Sequence, residues 1–165
     1  MGWNRGVKPL VMVVDDEPGV RELIGDALRL GGYDAVEAAD GQEALHIMSR
    51  TQPALLIVDT ISSLASIDYR HDEWEVDVTV AGSQKGLMLP PGLSFNCVSE
   101  KARNASRSAT LPRSYWSWEE MIAQNRTGYF PYTPATNLLY GLRESLRMLQ
   151  EEGLDNVFAR HDRHA

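Results

Sequence analysis

Apolar residues in the first third of the chain alternate between short continuous runs and stretches with helical spacing. Residues 10–14 are a run of Leu, Val and Met, which is typical of a strand buried on both faces. Strand, helix, strand, helix, strand with short connections predicts parallel pairing through right-handed crossovers. The later predicted elements are a helix from Pro18 to Gly31–Gly32, a strand over 33–37, a helix opening at Asp40–Gly41 and a strand over 54–58.

The rest of the chain contains two more predicted strands, an irregular stretch and a long helix. Residues 75–81 predict a fourth strand and residues 93–98 a fifth. No period is visible over 100–135, where basic and aromatic side chains are frequent, so this segment is expected to be irregular. Leucines at helical spacing predict an amphipathic helix over 136–152, and a further helix is expected to start at Leu154.

Composition narrows the classes of function. The chain has 165 residues, of which 43% are hydrophobic, so it can build a packed core. Its net charge of -7 argues against a nucleic-acid partner, because such proteins usually carry a basic face. No apolar run approaches the ~18 residues that a membrane helix needs. We therefore expect a cytoplasmic protein without a membrane partner.

Three aspartates follow two neighbouring strands of the predicted sheet. Asp15 and Asp16 come after the first strand, and Asp59 ends the third. In parallel sheets the chemistry gathers at the carboxyl ends of the strands, so these carboxylates are expected to converge. Carboxylates brought together repel one another, and a hard cation such as Mg²⁺ relieves that repulsion. An alternative is that Asp15 and Asp16 only cap the following helix, where acids favour the dipole.

Residues 13–18, 40–45 and 56–59 resemble matching motifs of the response-regulator receiver family, over about residues 7–59. The resemblance implies a Mg²⁺ site made by Asp15, Asp16 and Asp59. It also implies that Asp59 is the phosphoacceptor, receiving a phosphoryl group from a partner histidine kinase in two-component signalling.

No Lys-Pro pair, which the receiver family carries after its fifth strand, occurs after Asp59. We hypothesise that Ser83 and Lys85 stand in for the hydroxyl and ammonium groups that pair with phosphoryl oxygens in that family.

A second set of motifs is similar to the serine/alanine–glyoxylate aminotransferases of fold type I, over about residues 53–165. These motifs are residues 53–64, 72–74, 82–88 and 132–136. The resemblance implies that Lys85 is the Schiff-base lysine for pyridoxal phosphate and that Asp59 pairs with its pyridine nitrogen. It further implies that Gln84 borders the cofactor and that Thr133 reaches the phosphate of a neighbouring subunit.

The two resemblances together describe a chimera joined near residues 53–59. The aminotransferase phosphate cup, ring-stacking aromatic and substrate arginine have no assignable counterpart, so any such enzyme would be vestigial. Three hypotheses stay open: a receiver-like phosphoacceptor at Asp59, a pyridoxal phosphate protein using Lys85, and a folded hybrid with neither activity.

The resemblances also complete the expected fold. It is an α/β, flavodoxin-like, doubly wound sheet of five mostly parallel strands in the order 2-1-3-4-5, with the last strand antiparallel. The expected organisation is a hybrid sheet domain over 1–99, the irregular segment 100–135, and C-terminal helices over 136–165 that pack on the sheet. In the aminotransferases the irregular segment contacts the other protomer, so we expect homodimerisation through 100–135.

Overall fold

The computed structural model describes residues 7–165, which form five strands and six helices. These elements are β1 (Leu10–Val14), α1 (Pro18–Leu30), β2 (Asp34–Ala38), α2 (Gly41–Met48), β3 (Leu55–Asp59), β4 (Val78–Gly82), β5 (Ser94–Val98), α3 (Glu100–Arg107), α4 (Trp118–Asn125), α5 (Thr136–Glu152) and α6 (Leu154–Asp162). The strands form one sheet in the order β2-β1-β3-β4-β5, which confirms the predicted α/β fold and strand order.

Strand direction follows the prediction as well. β1 pairs in parallel with β2 and β3, and β3 pairs in parallel with β4. β5 runs antiparallel to β4: the Ser99 amide donates to the Asp77 carbonyl at 2.8 Å, and the Ser83 amide donates to the Leu93 carbonyl at 3.1 Å. The antiparallel last strand is therefore confirmed.

β4 begins later than the sequence predicted. Residues 71–76 form a tight turn in which the Val76 amide donates to the His71 carbonyl at 3.0 Å, and Glu75 takes a left-handed φ of 53°. Asp77, which follows, uses its side chain to bond the Leu56 amide at 3.0 Å and the Ser99 hydroxyl at 2.8 Å. These contacts turn residues 75–77 into a connector, so pairing starts at Val78.

The chain forms two compact units whose ranges interleave along the sequence. The first comprises the described residues up to Thr60 together with Arg70–Ala81 and Asn96–Ser99, and the second comprises Ile61–Tyr69, Gly82–Phe95 and Glu100–Ala165. The consecutive domain ranges expected from the sequence remain a prediction.

β1 supplies the centre of the first unit, because it lies between β2 and β3. Its residues Val11, Met12, Val13 and Val14 are all at most 7% exposed. Beside it, Asp40 caps α2 by accepting a hydrogen bond from the Glu43 amide at 2.8 Å. The apolar run of the sequence thus became a strand covered on both faces, as parallel sheets require.

In the second unit, α5 and α6 pack on the turn that follows β4. Leu87, Leu149 and Val157 form its buried apolar cluster, with Leu64 and Leu142 among the residues packed around it. The amphipathic helix predicted over 136–152 is confirmed as α5.

Segment 100–135 differs from the expectation of an irregular stretch, because it contains α3 and α4. Ala102 is the buried residue of α3, and charged pairs stabilise the rest of that helix. Arg103 contacts Glu100 at 2.9 Å and Glu119 at 3.2 Å. The face that α3 buries carries small residues such as Ala102 and Ala105, so no series of large apolar side chains marked this helix in the sequence.

Candidate functional site

The predicted acidic edge is built by the pairing of β1 with β3. Val14 lies opposite Val58 in the register, so Asp15 and Asp59 are the next residues at the same end of two neighbouring strands. Asp59 in turn pairs with Val80 of β4 and is partly exposed. The structure therefore brings the first and third strand ends together, as the strand pattern predicted.

Asp15 is buried, with 6% of its surface exposed, and local bonds hold it in place. Its Oδ1 accepts a hydrogen bond from the Glu17 amide at 2.8 Å. Its backbone carbonyl accepts one from Nη1 of Arg21 at 2.6 Å. The Glu17 amide precedes the first helical residue, Pro18, and α1 has no side-chain cap hydrogen bond. This contact is therefore a local turn bond, and it leaves the second carboxylate oxygen, Oδ2, outside it.

Arg21 was missed by the sequence analysis. It lies one turn inside α1, six residues after Asp15, and its guanidinium reaches back to the loop that carries the acids. A basic residue at this spacing after an acidic pair at a helix start is the signal that would have indicated it. Its charge lies beside the acidic edge, where it offsets part of the repulsion among carboxylates.

The acids do not form a ready-made metal cluster. Among residues 7–165, no three His, Cys, Asp or Glu side chains come together as a group able to hold a metal ion. Mg²⁺ often takes only one or two protein carboxylates and keeps several waters. The residues that fit it are therefore the adjacent pair Asp15, which is buried, and Asp16, which is exposed. The three-acid site stays a prediction.

Ser83, predicted to face a phosphoryl group, is fully buried. Its hydroxyl donates to the Pro90 carbonyl at 2.7 Å and accepts from the Leu93 amide at 3.2 Å. Both bonds close the loop between β4 and β5. The observed role of this hydroxyl is to hold that loop together.

Lys85 and Gln84 lie on the outside of this loop, and both are exposed. The Gln84 side chain lies over Gly82, where a Cβ would meet its Oε1 at 2.6 Å. The Met88 amide donates to the Lys85 carbonyl at 2.8 Å, and the Leu89 amide donates to the Ser83 carbonyl at 3.0 Å. Backbone hydrogen bonds from Met88 and Leu89 thus fix the turn that carries Lys85.

Two residues that support this turn were also missed from the sequence. Gly86 packs so closely on the preceding segment that a Cβ would lie 2.2 Å from the Leu64 carbonyl oxygen. Ser145 of α5 donates its hydroxyl to the Leu87 carbonyl at 2.5 Å. Glycines beside a lysine are a sequence signal for close backbone approach, whereas a lone serine within a helix gives none.

Thr133, the remaining predicted site residue, is exposed between α4 and α5. The ring of its chain neighbour Tyr132 lies 4.8 Å from that of Tyr115, which also contacts the ring of Trp116. The predicted combination of Asp59 with Lys85 and the predicted role of Thr133 at a neighbouring subunit stay predictions.

The model of the response regulator receiver domain matches residues 11–62. The chain is 57% identical over 182 aligned positions to a serine–glyoxylate aminotransferase of Methylorubrum extorquens, covering 96% of this chain and 41% of that protein. It is 58% identical over 113 positions to the serine–glyoxylate aminotransferase of Hyphomicrobium methylovorum, covering 67% and 28%. The chain thus spans well under half of the length of either relative.

The crystal structure of an alanine–glyoxylate aminotransferase from Nostoc superposes with a TM-score of 0.71 at 23% identity, over 94% of this chain and 52% of that one. This likeness shows a shared fold. No helix within residues 7–165 is long and apolar enough to cross a membrane. Both resemblances stated from the sequence are confirmed: the chain carries a receiver-like segment and is similar to aminotransferases over most of its length, as a chimera would be.

Proposed function

We propose that this protein is a phosphoacceptor and that Asp59 carries the phosphoryl group. The observation that supports the proposal is the β1–β3 register, in which Val14 opposite Val58 places Asp15 and Asp59 at one edge. Asp59 is partly exposed there, so a donor can approach it. The receiver match over residues 11–62 covers both acids.

The transfer is a displacement at phosphorus. A carboxylate oxygen of Asp59 attacks the phosphorus atom of a phosphoramidate or acyl phosphate donor, and the bond from phosphorus to the donor breaks. The donor leaves with the electron pair of the broken bond, and an acyl phosphate forms on Asp59. If the donor is a phosphohistidine, its imidazole then takes a proton from solvent. Asp15 and Asp16 are the residues that would hold Mg²⁺, whose charge offsets that of the phosphoryl oxygens.

Mass spectrometry after incubation with acetyl phosphate and Mg²⁺ tests this function. We expect one added phosphoryl group on the peptide that contains Asp59, and none in Asp59→Asn. The matched control is Asp34→Asn, because Asp34 starts β2 at the opposite edge of the sheet. Phosphorylation of a different residue, or none in the presence of Mg²⁺, rejects the proposal.

The partner that would supply the phosphoryl group is a histidine kinase, as the receiver resemblance implies. A cytoplasmic location and the lack of a nucleic-acid partner fit the same role and the net charge of -7. Transfer from the phosphorylated kinase core of a two-component system to this chain, lost in Asp59→Asn, tests the partner class.

A second candidate function is capture of pyridoxal phosphate by Lys85. It is supported by the exposed lysine on a turn fixed by the Ser83, Leu87 and Gly86 contacts, and by 57% identity to a serine–glyoxylate aminotransferase. The amine of Lys85 can react with the aldehyde of the cofactor, because the fixed turn presents this amine to solvent. The cofactor supplies that aldehyde and an electron-accepting ring.

We propose capture without turnover, so that the chain would be at most a vestigial aminotransferase. Binding and orienting a substrate demand tight geometric limits, and the phosphate cup and substrate arginine have no assigned counterpart in this sequence. Borohydride reduction followed by peptide mass spectrometry tests capture. We expect the label on Lys85, its loss in Lys85→Ala and its retention in Lys101→Ala, since Lys101 is an exposed lysine of α3. A label spread evenly over surface lysines contradicts it.

We also propose that segment 100–135 forms a homodimer contact. Its support is the exposure of Tyr115 (57%), Trp116 (75%) and Tyr129 (70%), because large exposed aromatic patches mark interfaces. Sedimentation velocity should show a dimer that the double variant Trp116→Ser/Tyr129→Ser dissociates. Trp74→Ser, which changes an exposed tryptophan elsewhere, should leave it intact. A monomer at all concentrations contradicts this contact.

A further inference from the structure

Ser145 is a buried polar residue on a helix whose other polar side chains are exposed. It is 5% exposed, near the middle of α5. Its hydroxyl donates to the carbonyl of Leu87, 58 positions earlier in the chain, at 2.5 Å. Serines inside helices commonly bond the carbonyl four residues back on their own helix. Ser145 instead makes a tertiary hydrogen bond, so its hydroxyl holds the loop that contains Leu87.

The bond acts on the peptide unit between Leu87 and Met88. The carbonyl of that unit accepts from Ser145, and its N–H donates to the Lys85 carbonyl at 2.8 Å. One peptide plane is thus held at both ends, by α5 on one side and by the backbone of the lysine on the other. The orientation of the Lys85 backbone depends on the first bond through the second.

Backbone conformation at this point makes the restraint necessary. Met88 has a φ of 58°, in the left-handed region that side chains other than Gly rarely adopt. Such a conformation persists only where its surroundings determine it. Leu87 is 7% exposed, so its carbonyl would lack a partner if Ser145 lost its hydroxyl. The turn would then relax towards an ordinary conformation.

We propose that Ser145 is a positioning residue that sets the orientation of Lys85 for reaction with an aldehyde of the pyridoxal phosphate class. This inference rests on the second candidate function. The bond that Ser145 makes is to the Leu87 carbonyl. It acts through the Leu87–Met88 peptide, and its role is separable from the stability of the apolar cluster around it.

Ser145→Ala and Val157→Ala distinguish positioning from stability. Val157 is 0% exposed and belongs to the same cluster as Leu87, so its truncation weakens the packing but keeps the hydroxyl bond. The measurements are the affinity of Lys85 for pyridoxal phosphate, read from borohydride-trapped label at Lys85, and hydrogen exchange of the Met88 amide. Ser145→Thr restores a hydroxyl and serves as the rescue variant.

We expect Ser145→Ala to weaken the affinity about 5- to 30-fold, the ratio that corresponds to ~1–2 kcal/mol, and to speed exchange of the Met88 amide. Val157→Ala should lower the unfolding midpoint with near-wild-type affinity, and Ser145→Thr should recover part of the loss. Wild-type affinity and exchange in Ser145→Ala overturn the inference. If the unaltered protein captures no pyridoxal phosphate, the second candidate function fails, and Met88 exchange alone decides the role of Ser145.

Discussion

Gly86→Ala is predicted to destabilise the second unit strongly, because its backbone has no room for a side chain. A Cβ at this position would lie 2.2 Å from the Leu64 carbonyl oxygen, 2.8 Å from Oγ of Ser66 and 3.0 Å from the carbonyl carbon of Ala65. Ordinary contact starts at 3.4 Å, so the two backbone segments must separate by about 1 Å. Two of the three contacts are backbone atoms, which cannot rotate away.

Overpacking of this kind costs about 1–3 kcal/mol, and the loss of chain entropy in the unfolded state returns about 0.4–1 kcal/mol. Because two of the contacts are with backbone atoms, the cost should lie near the upper end of its range, which leaves a net loss of about 2 kcal/mol. The assay is urea unfolding followed by circular dichroism, with the midpoint and slope fitted together.

Gly41→Ala is the matched control. Nothing lies within 4 Å of a Cβ at Gly41, the first residue of α2, so the same substitution there should be neutral or stabilising by up to about 1 kcal/mol. A Gly86→Ala protein as stable as the Gly41→Ala protein would refute the close backbone contact, and with it the account of how the lysine turn is built.

Three further perturbations test other parts of the structure. Asp77→Ala should cost about 1–3 kcal/mol in urea unfolding, because it leaves the buried Leu56 amide without its acceptor at 3.0 Å; an unchanged midpoint counts against that bond. Asp40→Ala removes the α2 cap and should lower the free energy of unfolding by about 0.5–2 kcal/mol in the same assay. An unchanged free energy of unfolding contradicts the cap. The hydrogen bond from Arg160 lowers the pKa of Glu152 from 4.5, so its stabilisation is present above pH 4.5 and is lost as the pH falls through the lowered pKa. Arg160→Ala should therefore weaken the pH dependence of the unfolding midpoint in that acid range. An unaltered pH dependence contradicts the pairing.

The strands could be predicted from the sequence because each one is marked by a local pattern of apolar residues. β1 is an unbroken apolar run, and its centre, Met12, is 0% exposed, so burial and pattern agree. The position of Asp59 followed from the same reasoning, since a residue at the end of a parallel strand lies at the edge where ligands bind. Strand order was predicted correctly with the help of both family resemblances.

What the sequence did not show depends on contacts between distant residues or between charges. α3 buries small residues such as Ala102, and Arg103 with its carboxylate partners stabilises it, so a search for large apolar side chains at helical spacing does not detect it. The Ser145–Leu87 bond joins positions 58 apart, and no local rule predicts it. Ser83 was assigned to chemistry by its place after a strand, whereas the structure shows its hydroxyl bonded to Pro90 and Leu93. Ser83 itself is buried, whereas its neighbours Gln84 and Lys85 are exposed, and the sequence does not show that difference.

The central claim is that strands of receiver-like and aminotransferase-like character pair in one cooperative sheet. β3 ends the receiver-like part and pairs with β4, and the bonds at this junction are Thr60 N–H to the Val80 carbonyl at 2.8 Å and Asp77 N–H to the Leu56 carbonyl at 3.0 Å. Native-state hydrogen exchange by NMR tests them directly. The account predicts that the Thr60 and Asp77 amides exchange as slowly as the Asp15 amide, which bonds Ala38 within the receiver-like part. Exchange of Thr60 and Asp77 at unprotected rates, with Asp15 still protected, would contradict it.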